Sequence, residues 1–88
     1  MKEERDIVVK LNRGIHAITA AKIYIILKEA KSVLSIKGPD FETDGKDVIG
    51  LLAMNAHKDS VLHVTAEGED AKEIVDKLEE FVSQEIDL

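Results

Sequence analysis

Seven short segments of this chain each carry apolar residues on one face only, and this feature most limits how the chain can fold. Apolar residues alternate with polar ones in the strand-like segments and recur every three to four positions in the helical ones. A single apolar face has to be buried against another element, so the order βαββαβα predicts a sheet packed on helices in two layers. We predict strands over 6–12, 32–38, 41–44 and 60–68, and helices over 16–31, 47–55 and 70–82.

Length and composition narrow the class of protein. The 88 residues are enough for one small domain, which we assign to 1–88. Without cysteine the chain can form neither a disulfide framework nor a thiolate metal site. The net charge of −6 argues against nucleic-acid binding. No apolar run reaches the roughly 18 residues of a membrane span, and the charged start leads into a strand rather than a signal peptide, so we expect a cytoplasmic protein.

Two aspartates stand where helices are expected to begin. Asp47 is a good N-cap for the middle helix. Asp70 with Glu73 forms a pair similar to a capping box, and it precedes the apolar stripe of the last helix. Neither His57, expected in a loop, nor His63, expected on the sheet face away from the helices, has ligand partners nearby, so we predict no metal site and no cofactor.

Four short motifs carry a resemblance to a known family. The chain has Gly14-Ile15-His16-Ala17 after the first strand, Lys46 and Gly50 in the middle helix region, and Gly68 before the last helix. These motifs resemble the HPr family, the phosphocarriers of the bacterial sugar phosphotransferase system. The resemblance runs from Gly14 to Phe81 without a gap. It implies an α+β fold, an open-faced β-sandwich with a four-stranded antiparallel sheet in the order 1-4-2-3 and the helices on one face.

The resemblance also implies a function for His16. This residue would accept a phosphoryl group from enzyme I and pass it to a IIA-type domain, so the protein would be a phosphoryl carrier rather than a stand-alone catalyst. A neutral imidazole is a suitable nucleophile near neutral pH. The phosphate would meet the backbone N–H groups of Ala17 and Ile18 at the positive end of a helix dipole.

The chain departs from the family motif directly after the histidine. The family continues with Arg-Pro, whereas this chain has Ile18-Thr19. Ile18 cannot neutralise a phosphoryl group as the arginine does, and we expect Thr19 to leave the first helical turn freer than a proline would. Two functions therefore stay open: a phosphocarrier, or an HPr-derived regulatory module that binds proteins and has lost efficient phosphotransfer.

A second departure lies at Asp47, where many family members carry a regulatory serine. Asp47 either imitates phosphoserine or is an ordinary helix cap. Apolar residues near it exceed what the core requires, and an exposed apolar patch commonly marks an interface. We expect this interface to bind enzyme I and IIA-type domains, a regulatory protein or a second copy of the chain, through Ile18, Val48, Ile49 and Leu52.

Overall fold

The computed structural model describes residues 1–88 and contains one sheet and three helices. The strands are β1 (Lys2–Val8), β2 (Val33–Lys37), β3 (Glu42–Thr43) and β4 (Val61–Glu67), and the helices are α1 (Ala17–Leu27), α2 (Val48–Ala53) and α3 (Ala71–Val82). The strand order is β1-β4-β2-β3, and every neighbouring pair is antiparallel. This is the α+β architecture and the 1-4-2-3 order that we predicted. None of the three helices has the length and apolar character that a membrane crossing requires.

The core lies between the sheet and the helices. In β4, Leu62 and Val64 are buried while His63 between them is exposed, as the alternation predicts. The helices contribute to this core the apolar residues that recur at the 3.6-residue spacing of an amphipathic helix. Burying one such side chain contributes roughly 1.5–3 kcal/mol, so the sheet and the helices stabilise each other. The buried helix residues include Ala20, Ile23 and Leu27 of α1 and Ala71, Ile74, Val75, Leu78 and Val82 of α3.

Strand β1 begins at Lys2, so our expected start at residue 6 is wrong. Its seven residues pair with the whole of β4, from Lys2 opposite Glu67 to Val8 opposite Val61. Charged residues fit this strand because its outer face is open to solvent. Beyond Val8 the chain leaves the ladder, although the N–H of Val9 still donates to the carbonyl of Ser60 at 2.8 Å.

Arg5 is a charged residue of β1 on the strand face that is turned toward the helices. Its guanidinium donates to the carboxylates of Asp76 at 2.7 Å and Glu79 at 3.0 Å, both on α3, and also to Glu3. Asp76 also pairs with Lys72 at 2.9 Å. This group of ion pairs connects the edge strand β1 to α3 across the sheet–helix boundary.

Helix α1 ends at Leu27, with Lys28 as its C-cap, four residues before the end that we predicted. The chain after it is held by a distant cation, since the Lys46 ammonium donates to the carbonyl of Ala30 at 2.7 Å. A cation near the C-terminal end of a helix also interacts favourably with the helix dipole.

The predicted capping box at Asp70 and Glu73 does not form. Asp70 occupies the N-cap position of α3 without a side-chain cap hydrogen bond. Its carboxylate accepts hydrogen bonds from the hydroxyl of Ser32 and from the backbone N–H groups of Ser32 and Lys31, each N–H at 2.9 Å. These donors, the Ser32 hydroxyl first, hold the pKa of Asp70 below its ordinary value. Asp70 therefore joins α3 to the connection between α1 and β2.

We predict that Asp70→Asn lowers the free energy of unfolding at neutral pH and that this loss shrinks in acid. Because the pKa of Asp70 is lower in the folded than in the unfolded chain, its contribution is present above the ordinary aspartate pKa. This stabilising contribution is lost as the pH falls through the folded-state pKa of Asp70. Urea unfolding over a series of acidic pH values measures the difference. Glu69→Gln, which removes only an exposed ion pair with Lys31, is the control, and an equal pH dependence in both variants would contradict the assignment.

Candidate functional site

The loop before α1 is seated against the connection between α2 and β4. Gly14 has a φ of +67°, and a Cβ at this position would lie 2.5 Å from the carbonyl oxygen of Ala56 and 2.8 Å from the Cα of His57. Only glycine fits both the conformation and the space. The N–H of Ile15 donates to the carbonyl of Ala56 at 2.9 Å. These contacts fix the direction in which the chain enters α1.

His16 is the N-cap of α1, and both of its ring nitrogens have partners. Nδ1 accepts from the backbone N–H of Ile18 at 3.4 Å, and Nε2 lies 2.5 Å from the backbone oxygen of Leu88. A backbone oxygen can only accept and a backbone N–H can only donate. Both contacts fit the same tautomer, with the proton on Nε2 and the lone pair of Nδ1 directed at the helix N-terminus.

The start of α1 offers donors for an anion bound at Nδ1. The hydrogen bond from Ile18 to Nδ1 is long and therefore weak. The backbone N–H of Ala17 takes part in no hydrogen bond within the protein. Both residues are exposed, and His16 is half-buried. The two N–H groups and the helix dipole therefore form an arrangement that suits an anion, and the phosphate-binding role of Ala17 and Ile18 stays a prediction.

Thr19 restrains the first turn through its hydroxyl, which our comparison with proline did not include. Its side chain is fully buried, and its hydroxyl accepts from the N–H of His16 at 2.9 Å and lies 3.0 Å from the carbonyl oxygen of Gly14, to which it donates. With the His16 side chain this completes a capping box. The usual sequence signature does not reveal it, because the cap residue is histidine and the third residue is threonine.

The segment after α3, residues 83–88, runs beside the loop that precedes α1 and places the backbone oxygen of Leu88 next to His16. The N–H of Asn12 donates to the carbonyl of Ile86 at 3.1 Å, and its side-chain amide donates to Asp87 at 2.6 Å. Ile86 packs against the core. Sequence reasoning did not identify Leu88, since no motif marks a backbone oxygen that is 72 residues away from its partner.

The residues proposed for a partner interface lie on α2 and at the start of α1, and these helices pack against each other. Ile49 is 76% exposed and Ile18 is 53% exposed, and Leu52 is also exposed. Val48 is half-buried and packs against the core, so it has less surface to offer. Asp47 is the N-cap of α2 as predicted, since its carboxylate accepts from the N–H of Ile49 at 3.1 Å.

The other two histidines do not join this site. His63 lies on the open face of the sheet, where its Nδ1 is 2.6 Å from the carboxylate of Asp6 on β1. His57 lies in the loop between α2 and β4, beside Gly14. No group of three or more His, Cys, Asp or Glu side chains is arranged to hold a metal ion.

The fold of this chain is similar to the folds of solved HPr structures. The chain is similar in structure to phosphocarrier protein HPr from Bacillus anthracis str. Ames, with a TM-score of 0.86, 22% identity, and coverage of 92% of this chain and 96% of that chain. It is similarly close to HPr-C-His from Thermoanaerobacter tengcongensis, with a TM-score of 0.85, 22% identity, and coverage of 94% and 93%.

A third similar structure is the catabolite repression protein Crh of Bacillus subtilis, solved as a domain-swapped intertwined dimer. Here the TM-score is 0.65 and the identity 24%, over 89% of this chain and 90% of that chain. Because the identities are this low, the structural similarity shows a shared fold and no more. A search of curated proteins finds no match.

The family model settles the relationship. The model described as the PTS HPr component phosphorylation site matches residues 3–84, which span nearly the whole chain and include the loop of His16. Together with the sheet order and the His16 cap, this match shows that the chain belongs to the PTS-HPr family of phosphocarrier proteins.

Proposed function

We propose that this protein is a phosphocarrier of the phosphoenolpyruvate-dependent sugar phosphotransferase system and that it acts in the cytoplasm. Nδ1 of His16 accepts the phosphoryl group from enzyme I and donates it to a IIA-type domain. The observation that supports this most directly is the placement of the His16 ring, with Nδ1 beside the backbone N–H of Ile18 at the N-terminus of α1 and Nε2 beside the backbone oxygen of Leu88. Family membership supports the same reaction.

The residues around His16 suit each part of the transfer. The Nδ1 lone pair attacks phosphorus, a new N–P bond forms, and the bond from phosphorus to the donor breaks with its electron pair returning to the donor. The ring gains positive charge as Nδ1 is phosphorylated. Nε2 keeps its proton, and the backbone oxygen of Leu88 stabilises that charge by accepting from Nε2–H. The N–H groups of Ala17 and Ile18 meet the phosphoryl oxygens.

The missing arginine of the motif affects rate more than position. The Ile18 side chain is 53% exposed and carries no charge. A charge-assisted contact contributes about 1.5–3 kcal/mol, and a contact made only in the transition state contributes to rate. The backbone donors remain, so the site keeps its position for the phosphate while it lacks a side-chain cation from the motif. We therefore propose slow transfer at an otherwise intact site.

We predict that phosphoenolpyruvate and a cognate enzyme I add one acid-labile phosphate to the chain and that His16→Ala abolishes it. Mass spectrometry of the intact protein at neutral pH, before and after acid treatment, measures the modification. His63→Gln is the matched control, because His63 lies on the open sheet face and pairs with Asp6. Phosphate retained in His16→Ala, or lost in His63→Gln, would assign the acceptor elsewhere.

Ile18→Arg is expected to raise the transfer rate by about tenfold, since a cation returns beside the phosphoryl group and about 1.4 kcal/mol is a factor of ten. Ile25→Arg adds the same charge on the same helix at another exposed position and serves as the control. Rapid-quench measurement of phosphoryl transfer compares the two variants with the unchanged protein. Equal rates in all three would show that the missing cation does not limit transfer.

A regulatory protein-binding role is the second candidate function. The exposed side chains of Ile18, Ile49 and Leu52 on the packed pair of helices α1 and α2 favour it. In this role the partner is a regulatory protein or a second copy of the chain. Asp47 would then supply a fixed negative charge at the edge of the contact, in the position of a phosphorylated serine. The swapped dimer of the related Crh supports including a second copy.

Ile49→Lys is expected to weaken partner binding at least about tenfold, because an apolar side chain buried at an interface contributes roughly 1.5–3 kcal/mol. Val33→Lys is the matched control: Val33 is also β-branched and 78% exposed, against 76% for Ile49, but lies on β2 in the open sheet face. Calorimetric titration with enzyme I and a IIA-type domain measures affinity, and sedimentation measures self-association. Equal affinities for the two variants would contradict an interface at α2.

A further inference from the structure

One buried hydroxyl holds the backbone of the phosphoryl-acceptor loop on both sides of Ile15. The hydroxyl of Thr19 donates to the carbonyl of Gly14 at 3.0 Å and accepts from the N–H of His16 at 2.9 Å. No other hydrogen bond in the protein satisfies these two backbone groups. Thr19 is fully buried, so water cannot replace the hydroxyl without a rearrangement of the loop.

This connection determines how His16 enters α1. The His16 backbone is extended at the cap, with φ of −130° and ψ of −166°. Its imidazole has to bring Nδ1 to the N–H of Ile18 and Nε2 to the backbone oxygen of Leu88 at the same time. If the backbone N–H of His16 moved, the Cα from which the imidazole projects would move with it. At least one of these two contacts would then break. The Thr19 hydroxyl therefore acts on the ring through the backbone.

We propose that Thr19 is the positioning residue of His16, and that its hydroxyl keeps the imidazole in the tautomer with the proton on Nε2. A proline at this position, as in the family motif, has no hydroxyl and could make neither contact. The importance of Thr19 for phosphoryl transfer rests on the proposed phosphocarrier function. The effect of Thr19 on the imidazole ring does not rest on it, and the transfer rate and the ring tautomer can be measured separately.

Thr19 acts on the ring and not on a partner. Because the side chain is fully buried beneath the first turn, no partner protein can touch it. Removal of the hydroxyl should therefore lower the maximal rate of phosphorylation without changing the KM for the carrier. A residue that merely stabilised the fold would alter the unfolding free energy and leave both the ring tautomer and the rate unchanged in the folded protein.

The test compares Thr19→Val, Thr19→Ala and Thr19→Ser with the unchanged protein, and uses Thr43→Val as a matched control. Thr43 is another buried threonine, whose hydroxyl accepts from the N–H of Gly45 at 3.1 Å, away from His16. Nitrogen-15 NMR of the His16 ring reports the tautomer. Potassium phosphoramidate, a small phosphoryl donor, measures the rate of phosphorylation at His16 without enzyme I, and enzyme I kinetics give the maximal rate and KM.

Thr19→Val and Thr19→Ala are expected to lose the tautomer preference and to be phosphorylated about ten- to a hundredfold more slowly, the range that misplacement of a reacting group produces. Thr19→Ser should restore both, and Thr43→Val should change neither. A wild-type tautomer and rate in folded Thr19→Ala, or failure of Thr19→Ser to rescue, would overturn the proposal. If the unchanged protein takes phosphate from neither donor, the phosphocarrier function fails, while the NMR comparison still decides the role of Thr19.

Discussion

The burial of one sheet face under α1 and α3 is the constraint on which the position of the functional site depends. Helix α1 is anchored in the core by Ala20, Ile23 and Leu27, all of which are fully buried, and it packs against α2 and α3. Each large apolar side chain contributes roughly 1.5–3 kcal/mol, so the helix cannot rotate about its axis without exposing them. Its N-terminus therefore points in one direction, and His16 caps it from a loop that Gly14 seats against the carbonyl of Ala56.

The sequence predicted the core more reliably than the ends of the elements, and the physical reason is the range of the interactions involved. Apolar periodicity is local, and the positions that it places on the inner faces of α1 and α3 are buried, among them Ile23, Leu27, Ile74 and Leu78. Element ends depend on partners that are distant in sequence. Lys46 binds the carbonyl of Ala30 after α1, and the carboxylate of Asp70 binds the connection after α1 instead of capping its own helix. Local patterns carry no signal for either contact.

The same distinction applies to the site. The motif predicts His16 as the acceptor and Ala17 and Ile18 as backbone donors, because these roles follow from residue type and position before a helix, and in the structure His16 is the N-cap of α1. It did not identify Leu88, whose backbone oxygen is 72 residues away from His16 in the sequence and comes beside it only in the folded chain. The role of the Thr19 hydroxyl was missed for another reason. A threonine was compared with proline as a stiffener of the backbone, whereas it acts through the two hydrogen bonds of its hydroxyl.

The two substitutions after His16 therefore have different consequences. Thr19 replaces the geometric restraint of a proline by different chemistry, since hydrogen bonds to Gly14 and His16 hold the loop. Ile18 does not replace the charge of an arginine, because an isoleucine has none to offer. Positioning and charge stabilisation are separate contributions to a transfer rate, and the second acts where charge develops in the transition state. For a site that keeps the first contribution and weakens the second, we expect phosphate to be directed to Nδ1 but to be transferred slowly.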